Sequence, residues 1–218
     1  MKTNYNKLAG RDTARLVAIS DAVFGVAMTL LVLEIKVPEV KGSEKDLALT
    51  FLALMPKFLV YFLSFLTAGI FWMGHSAQYK FIEKSDRNLN WINLLFLLFV
   101  SILPFTTAFL GDYIHYKLSI GIYWLNIFLL GLMLYVNWRY AERHNFIEAE
   151  DKVAISRAIK KRIAVAQMLY LSGTLLCLVH PYLGIAVIIG IQLNYAFAFL
   201  NNRKPVNESE SVDNASLS

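Results

Sequence analysis

The sequence predicts an all-α, polytopic membrane protein with six transmembrane helices and no P-loop. Mean hydropathy is +0.49, and 57% of the 218 residues are hydrophobic while only 17% are charged, against the quarter or so usual in soluble domains. The apolar residues fall in runs of about twenty separated by charged segments, the spacing a bilayer imposes on helices. No Thr-Val-Gly-Tyr-Gly run or comparable carbonyl filter occurs. Disorder, collagen-like repetition and a disulfide scaffold are excluded; the single Cys177 lies in an apolar run and reads as a small core residue. The net charge of +5 is concentrated in segments between the spans, so it speaks for topology and not for nucleic acid.

Six spans follow in order, at about 16–36, 50–76, 91–111, 118–138, 163–179 and 182–200. The first is preceded by basic residues, as a signal peptide is, but it is too long and contains Asp21 and Glu34, so it is expected as a helix of the mature protein. The second is long enough to tilt or to project beyond the membrane. In the third, Pro104 within Leu103-Pro104-Phe105-Thr106-Thr107 is expected to kink the helix, with threonine hydroxyls available to the freed carbonyls. The fifth continues a basic amphipathic segment, Asp151 to Arg162, into the bilayer. His180-Pro181 joins the last two spans tightly, as a helical hairpin. The tryptophans at 72, 91, 124 and 138 mostly fall near span ends, where interfacial anchoring is the ordinary role.

Sixteen of the 21 Lys and Arg residues lie before span one, after spans two and four, and after span six, which predicts cytoplasmic termini and a multi-pass protein of the cell membrane. Residues 1–200 then form one transmembrane domain and 201–218 a disordered cytoplasmic tail. The sequons at Asn207 and Asn214 are chance matches on the wrong side for glycosylation.

Polar groups inside a membrane are costly unless they are paired or face water. Arg15, Ser20 and Asp21 in span one, Trp72 and His75 at the end of span two, and Asn90 and Asn93 at the start of span three all lie near one depth if the termini are inside. Cost grounds favour a hydrogen-bonded clamp of three helices over direct chemistry. His75 with Asp21 resembles half a catalytic dyad, but no nucleophile elbow, His-Glu-x-x-His motif or Cys-His metal spacing accompanies it. No enzyme, cofactor or metal site is therefore expected, and His115, His144 and His180 read as surface or interface residues.

The apolar remainder of span one has a direction too. At 100° per residue, Ala22, Val26, Thr29 and Leu33 share one stripe with Leu30 at its margin, while Asp21, Gly25, Met28 and Val32 form a neighbouring face. Periodicity leaves open whether the stripe meets protein, lipid or water.

Arg15-x-x-x-Ile19-Ser20-Asp21-Ala22-Val23-Phe24 followed by Thr29-Leu30-Leu31-Val32-Leu33 closely resembles the first-helix signature of the endolysosomal potassium channel family (transmembrane protein 175) and its prokaryotic homologues. Ile19 stands where the family signature has Phe. The resemblance continues through Phe71-Trp72-x-x-His75, Asn93-Leu-Leu-Phe-Leu-Leu-Phe and Leu103-Pro104-Phe105-Thr106-Thr107, covering about the first half of the chain. It implies a potassium-selective cation channel of six helices per subunit, with permeant K+ and no cofactor. It implies a homotetramer in the lipid bilayer, because one signature per chain matches the prokaryotic kind. Val26, Leu30 and Leu33 match the family's hydrophobic constriction, Thr29 a polar ring beside it, and Arg15, Ser20, Asp21 and His75 its interhelical network. A small secondary transporter and a structural membrane protein remain the alternatives. No internal repeat or interrupted helix pair supports the former.

Overall fold

Seven α-helices follow one another in the computed structural model, which describes residues 13–201: α1 Thr13–Leu33, α2 Glu44–Ala53, α3 Met55–Tyr79, α4 Arg87–Asp112, α5 Lys117–Arg143, α6 Lys152–Val179 and α7 Pro181–Asn201. Helices α1, α3, α4, α5 and α6 each hold an apolar stretch long enough to cross a membrane. At 21 residues α7 is about 31 Å long, which makes it the sixth expected span. Apart from Asn201, the tail expected at 201–218 lies outside the described residues.

The expected second span is two helices, not one. A capping box starts α2: Ser43 Oγ accepts from Asp46 N, and the Asp46 carboxylate accepts from Ser43 N at 2.9 Å. The break falls at Leu54, and Pro56 then sits in the first turn of α3, where a missing N–H costs nothing. In α4, Asp86 caps the start through Leu89 N at 2.8 Å, and the helix runs on through Pro104. Thr106 and Thr107 do bond a backbone carbonyl, at 3.0 and 2.7 Å, but it is that of Leu103 and not the one proline frees at Val100. The basic segment expected before span five is continuous with it in α6.

Helix α1 packs against α3 and α4, α4 against α5, α6 against α5 and α7, and α7 also against α3. The main core runs through Phe24, Phe71, Phe96, Val100, Tyr123 and Ile185. Between transmembrane helices, lipid is as apolar as leucine, so close packing and interhelical hydrogen bonds hold the bundle together. Both devices are present. A Cβ at Gly184 would stand 2.6 Å from Cys177 N and 2.8 Å from its Cα, so glycine is what lets the α6–α7 hairpin close. Polar bonds cross the bundle at several depths: Gln192 Nε2 donates to Thr67 Oγ1 (2.8 Å) and Tyr170 Oη (3.1 Å), Ser64 Oγ lies 3.0 Å from Tyr123 Oη, and Asn137 Nδ2 donates to Gln78 Oε1 (3.1 Å).

A smaller core of Ile82, Leu89, Trp138, Ala141 and Ile147 closes one end. There an isolated antiparallel bridge, Ile82 to Ile147, ties the α3–α4 and α5–α6 loops through Glu83 N to Phe146 O (3.0 Å) and Glu148 N to Phe81 O (2.9 Å). Trp138 corrects the expectation of an interfacial anchor: it is fully buried, and its Nε1 donates to Ser156 Oγ at 3.0 Å. At the opposite end, Lys57 and Asp112 pair at 2.6 Å.

The candidate site: the first helix and its anchorage

Helix α1 has two unlike faces. Leu16, Ser20, Phe24, Ala27 and Leu31, spaced by three and four, turn into the bundle. Arg15, Ile19, Ala22, Val26, Thr29, Leu30 and Leu33 lie on the other side and are exposed, Val26 at 58%, Leu30 at 41% and Leu33 at 70%. Within this bundle the stripe has no covering helix. Its one polar member between Ile19 and Leu33 is Thr29, whose hydroxyl donates to Val26 O at 2.8 Å. That bond consumes the hydroxyl proton and leaves the oxygen lone pairs for an outside partner.

The inward face is fastened at its beginning by a chain of directed hydrogen bonds. Ser20 Oγ donates to Leu16 O at 2.7 Å, so it must accept from Asn93 Nδ2 at 3.1 Å. The amide of Asn93 is thereby oriented, its Oδ1 faces His75 Nε2 at 2.9 Å, and the imidazole must carry its proton on Nε2 to donate. His75 Nδ1 has no partner among the described residues. Ser20, His75 and Asn93 are all buried, and Phe96 stacks on the imidazole with ring centroids 5.3 Å apart and planes within 2°. Tyr79 approaches the same ring at 4.5 Å.

Asp21 takes a different partner from the one that the dyad pattern suggested. It is exposed and accepts from Trp72 Nε1 at 2.8 Å, a direct tie between α1 and α3. Arg15 does not join the network: it is exposed and shares the face of Val26 and Leu33. The structure therefore brings Ser20, His75 and Asn93 together, sets Asp21 beside them on Trp72, and turns Arg15 outward. Trp72 was legible as an aromatic near a span end; its role as partner of Asp21 depends on how α1 and α3 are rotated. Among the described residues no group of His, Cys, Asp and Glu is arranged to hold a metal ion.

The family model described as endosomal/lysosomal potassium channel TMEM175 matches residues 15–104, the segment that holds α1, the clamp and Pro104. A potassium channel of Streptomyces collinus is 32% identical over 207 residues, covering 92% of this chain and 98% of that protein. A potassium channel of Chamaesiphon minutus is 30% identical over 192 residues, covering 85% and 94%. The human endosomal/lysosomal proton channel TMEM175 is 35% identical over 97 residues, which is 41% of this chain and 19% of that one. The crystal structure of a lysosomal potassium-selective channel TMEM175 homolog from Chamaesiphon minutus superposes with a TM-score of 0.72 at 28% identity, over 85% of this chain and 97% of the other. Similarity that runs the length of the bacterial relatives, and that coincides with the anchored first helix, places this multi-pass membrane protein in the TMEM175 family of ion channels, and it is not an enzyme.

Proposed function

We propose that four copies of this chain surround an axis, each contributing α1, and conduct potassium passively through a pore narrowed by Val26, Leu30 and Leu33. The observation that carries the reading is the uncovered stripe of α1, an apolar face that its own bundle leaves bare while the opposite face is fastened by Ser20. One subunit cannot enclose a pore with one helix, whereas rotational symmetry turns a single stripe into stacked rings. Rings of Val and Leu exclude water and gate by dewetting. Thr29 adds four outward-facing oxygens beside them, able to replace part of the hydration shell of K+. The names of the bacterial relatives support potassium as the permeant ion. Ser20, Asp21, His75 and Asn93 hold the pore helix and do not contact the ion; Arg15, on the free face, faces a neighbouring subunit or the pore mouth. No cofactor is required, and both termini are cytoplasmic.

Proteoliposomes loaded with K+ test the reading. Downhill K+ efflux without a coupled solute, from a particle whose mass in mild detergent is that of a tetramer, is expected. Strict coupling to a solute would make the protein a transporter, no flux would make it a structural component, and a conducting monomer would remove the axial pore. Protection of both termini from protease in sealed right-side-out cells checks the orientation.

A further inference from the structure

Helix α6 begins outside the apolar layer. Its apolar part, Ile163 to Val179, is 17 residues or about 25 Å long, and Lys152, Arg157, Lys160, Lys161 and Arg162 precede it on the same helix. Lys161 stands about 3 Å and Arg157 about 9 Å along the axis beyond Ile163, the depth of the headgroup layer on that side of the bilayer. The end of α5 and the start of α6 frame an open groove of about 460 Å³ at this level, lined by Glu142, Asn145 and Ile147 on one wall and by Ser156, Arg157 and Lys160 on the other. The one carboxylate among those six is already engaged. Glu142 accepts from Lys160 Nζ at 2.6 Å and from Ser156 Oγ at 2.5 Å.

Below the cations the same helix face changes character. At 100° per residue, Arg157, Lys161, Ala164, Met168 and Leu175 fall in one stripe, and all are exposed, Met168 at 66%. Two cations thus stand directly above a bare apolar track that runs down α6. Helix α6 packs on α5 and α7, while α1 packs on α3 and α4, so this track lies away from the α1 stripe.

The geometry points to a binding site for an anionic phospholipid on α6, its phosphodiester held by Arg157 at the edge of the groove and by Lys161 one turn along the helix, and one acyl chain laid along Ala164, Met168 and Leu175. The charge suits a phosphate, guanidinium and ammonium being its usual partners. The track suits a chain and not a free anion. The site requires a membrane-spanning α6 and is independent of whether the protein conducts.

The test reads lipid retained by the full-length protein reconstituted in phosphatidylcholine doped with phosphatidylglycerol, then taken back into mild detergent and weighed by native mass spectrometry. Phosphatidylglycerol should be retained over phosphatidylcholine. Arg157→Gln with Lys161→Gln should lower that retention about 30-fold, at roughly 5-fold per cation, and Lys117→Gln at the far end should leave it unchanged. Met168→Asn should lower retention while leaving both cations in place. Equal retention by the double variant, no preference for phosphatidylglycerol, or displacement of the lipid by inorganic phosphate would each overturn the site, the last by showing that a free anion is its ligand. Exposed polar substitutions on a helix surface leave folding intact, and a thermal melt in pure phosphatidylcholine that matches the parent confirms it.

Discussion

His75→Ala and Asp21→Ala both remove a member of the polar anchorage, yet the structure separates them sharply. The His75 side chain is 1% exposed and sits against Phe24, Tyr79 and Phe96. Its removal deletes an interhelical hydrogen bond, worth about 0.6 to 1.7 kcal/mol in a membrane. It also leaves Asn93 Oδ1 without its donor and opens a cavity that three aromatic rings cannot readily fill. Together these come to about 2–4 kcal/mol, a roughly 30- to 700-fold shift in the unfolding equilibrium. Asp21→Ala also breaks one bond, but the orphaned Trp72 is 41% exposed and can turn its indole N–H to water or headgroups, so the cost is about 1 kcal/mol or less. Equilibrium unfolding in mixed micelles, followed by circular dichroism, measures both. Equal costs, or a larger one for Asp21→Ala, would refute the directed chain from His75 through Asn93 to Ser20. Asn93→Asp sharpens the point: it removes the amide donor to Ser20 Oγ while keeping the volume, and should destabilise by about 1–3 kcal/mol.

Three further expectations follow from other parts of the molecule. Leu33→Asn and Val26→Asn should raise K+ flux by wetting the constriction, and Thr29→Val should weaken discrimination of K+ over Na+; unchanged reversal potential and no gain of current would take α1 out of the pore. Gly184→Val drives a side chain into the Cys177 backbone and should cost several kcal/mol, seen as a lowered melting temperature, whereas Gly190→Ala, with nothing within 4 Å of the added carbon, should be tolerated. Across the Ile82–Ile147 bridge, a hydrogen bond with Glu148 raises the Glu83 carboxyl above its ordinary range and lowers that of Glu148, Lys84 nearby helping the latter. The contribution of Glu83 is present at low pH and lost as pH rises through its raised value; that of Glu148 is present at higher pH and lost as pH falls through its lowered value. Protection of the Glu83 and Glu148 amides from hydrogen exchange should therefore peak in the ordinary carboxylate range and fall towards neutrality, and Glu83→Gln should abolish the fall.

The spans were legible because twenty apolar residues in a row are a local property that no tertiary contact can override. The hairpin at His180-Pro181 and the meeting of Ser20, His75 and Asn93 followed from proline and from a shared depth. What the sequence concealed depends on helix rotation. The same six spans with α1 turned by one residue, about 100°, would aim Arg15 elsewhere and take Asp21 from Trp72. The break at Leu54 was foreshadowed by Pro56 and Lys57 just beyond it, since Phe51 to Met55 is an unbroken apolar run. The bond from Gln192 to Thr67 joins residues 125 apart in the chain, and nothing local pairs them.

The anchorage of α1 is lopsided, and that gives the helix a mechanical character. Polar bonds hold it at Ser20 and Asp21, while from Phe24 to Leu31 its inward face is held by apolar packing. Leu33 lies 13 residues beyond Ser20, a lever arm of about 20 Å. Swinging α1 by about 5° around its fastened end carries Leu33 through roughly 1.7 Å and Val26 through about half of that. The bonds at the fulcrum need not stretch, since they sit where the displacement vanishes. Any tilt of α1 about its fastened end is therefore felt most at Leu33 and least at Ser20.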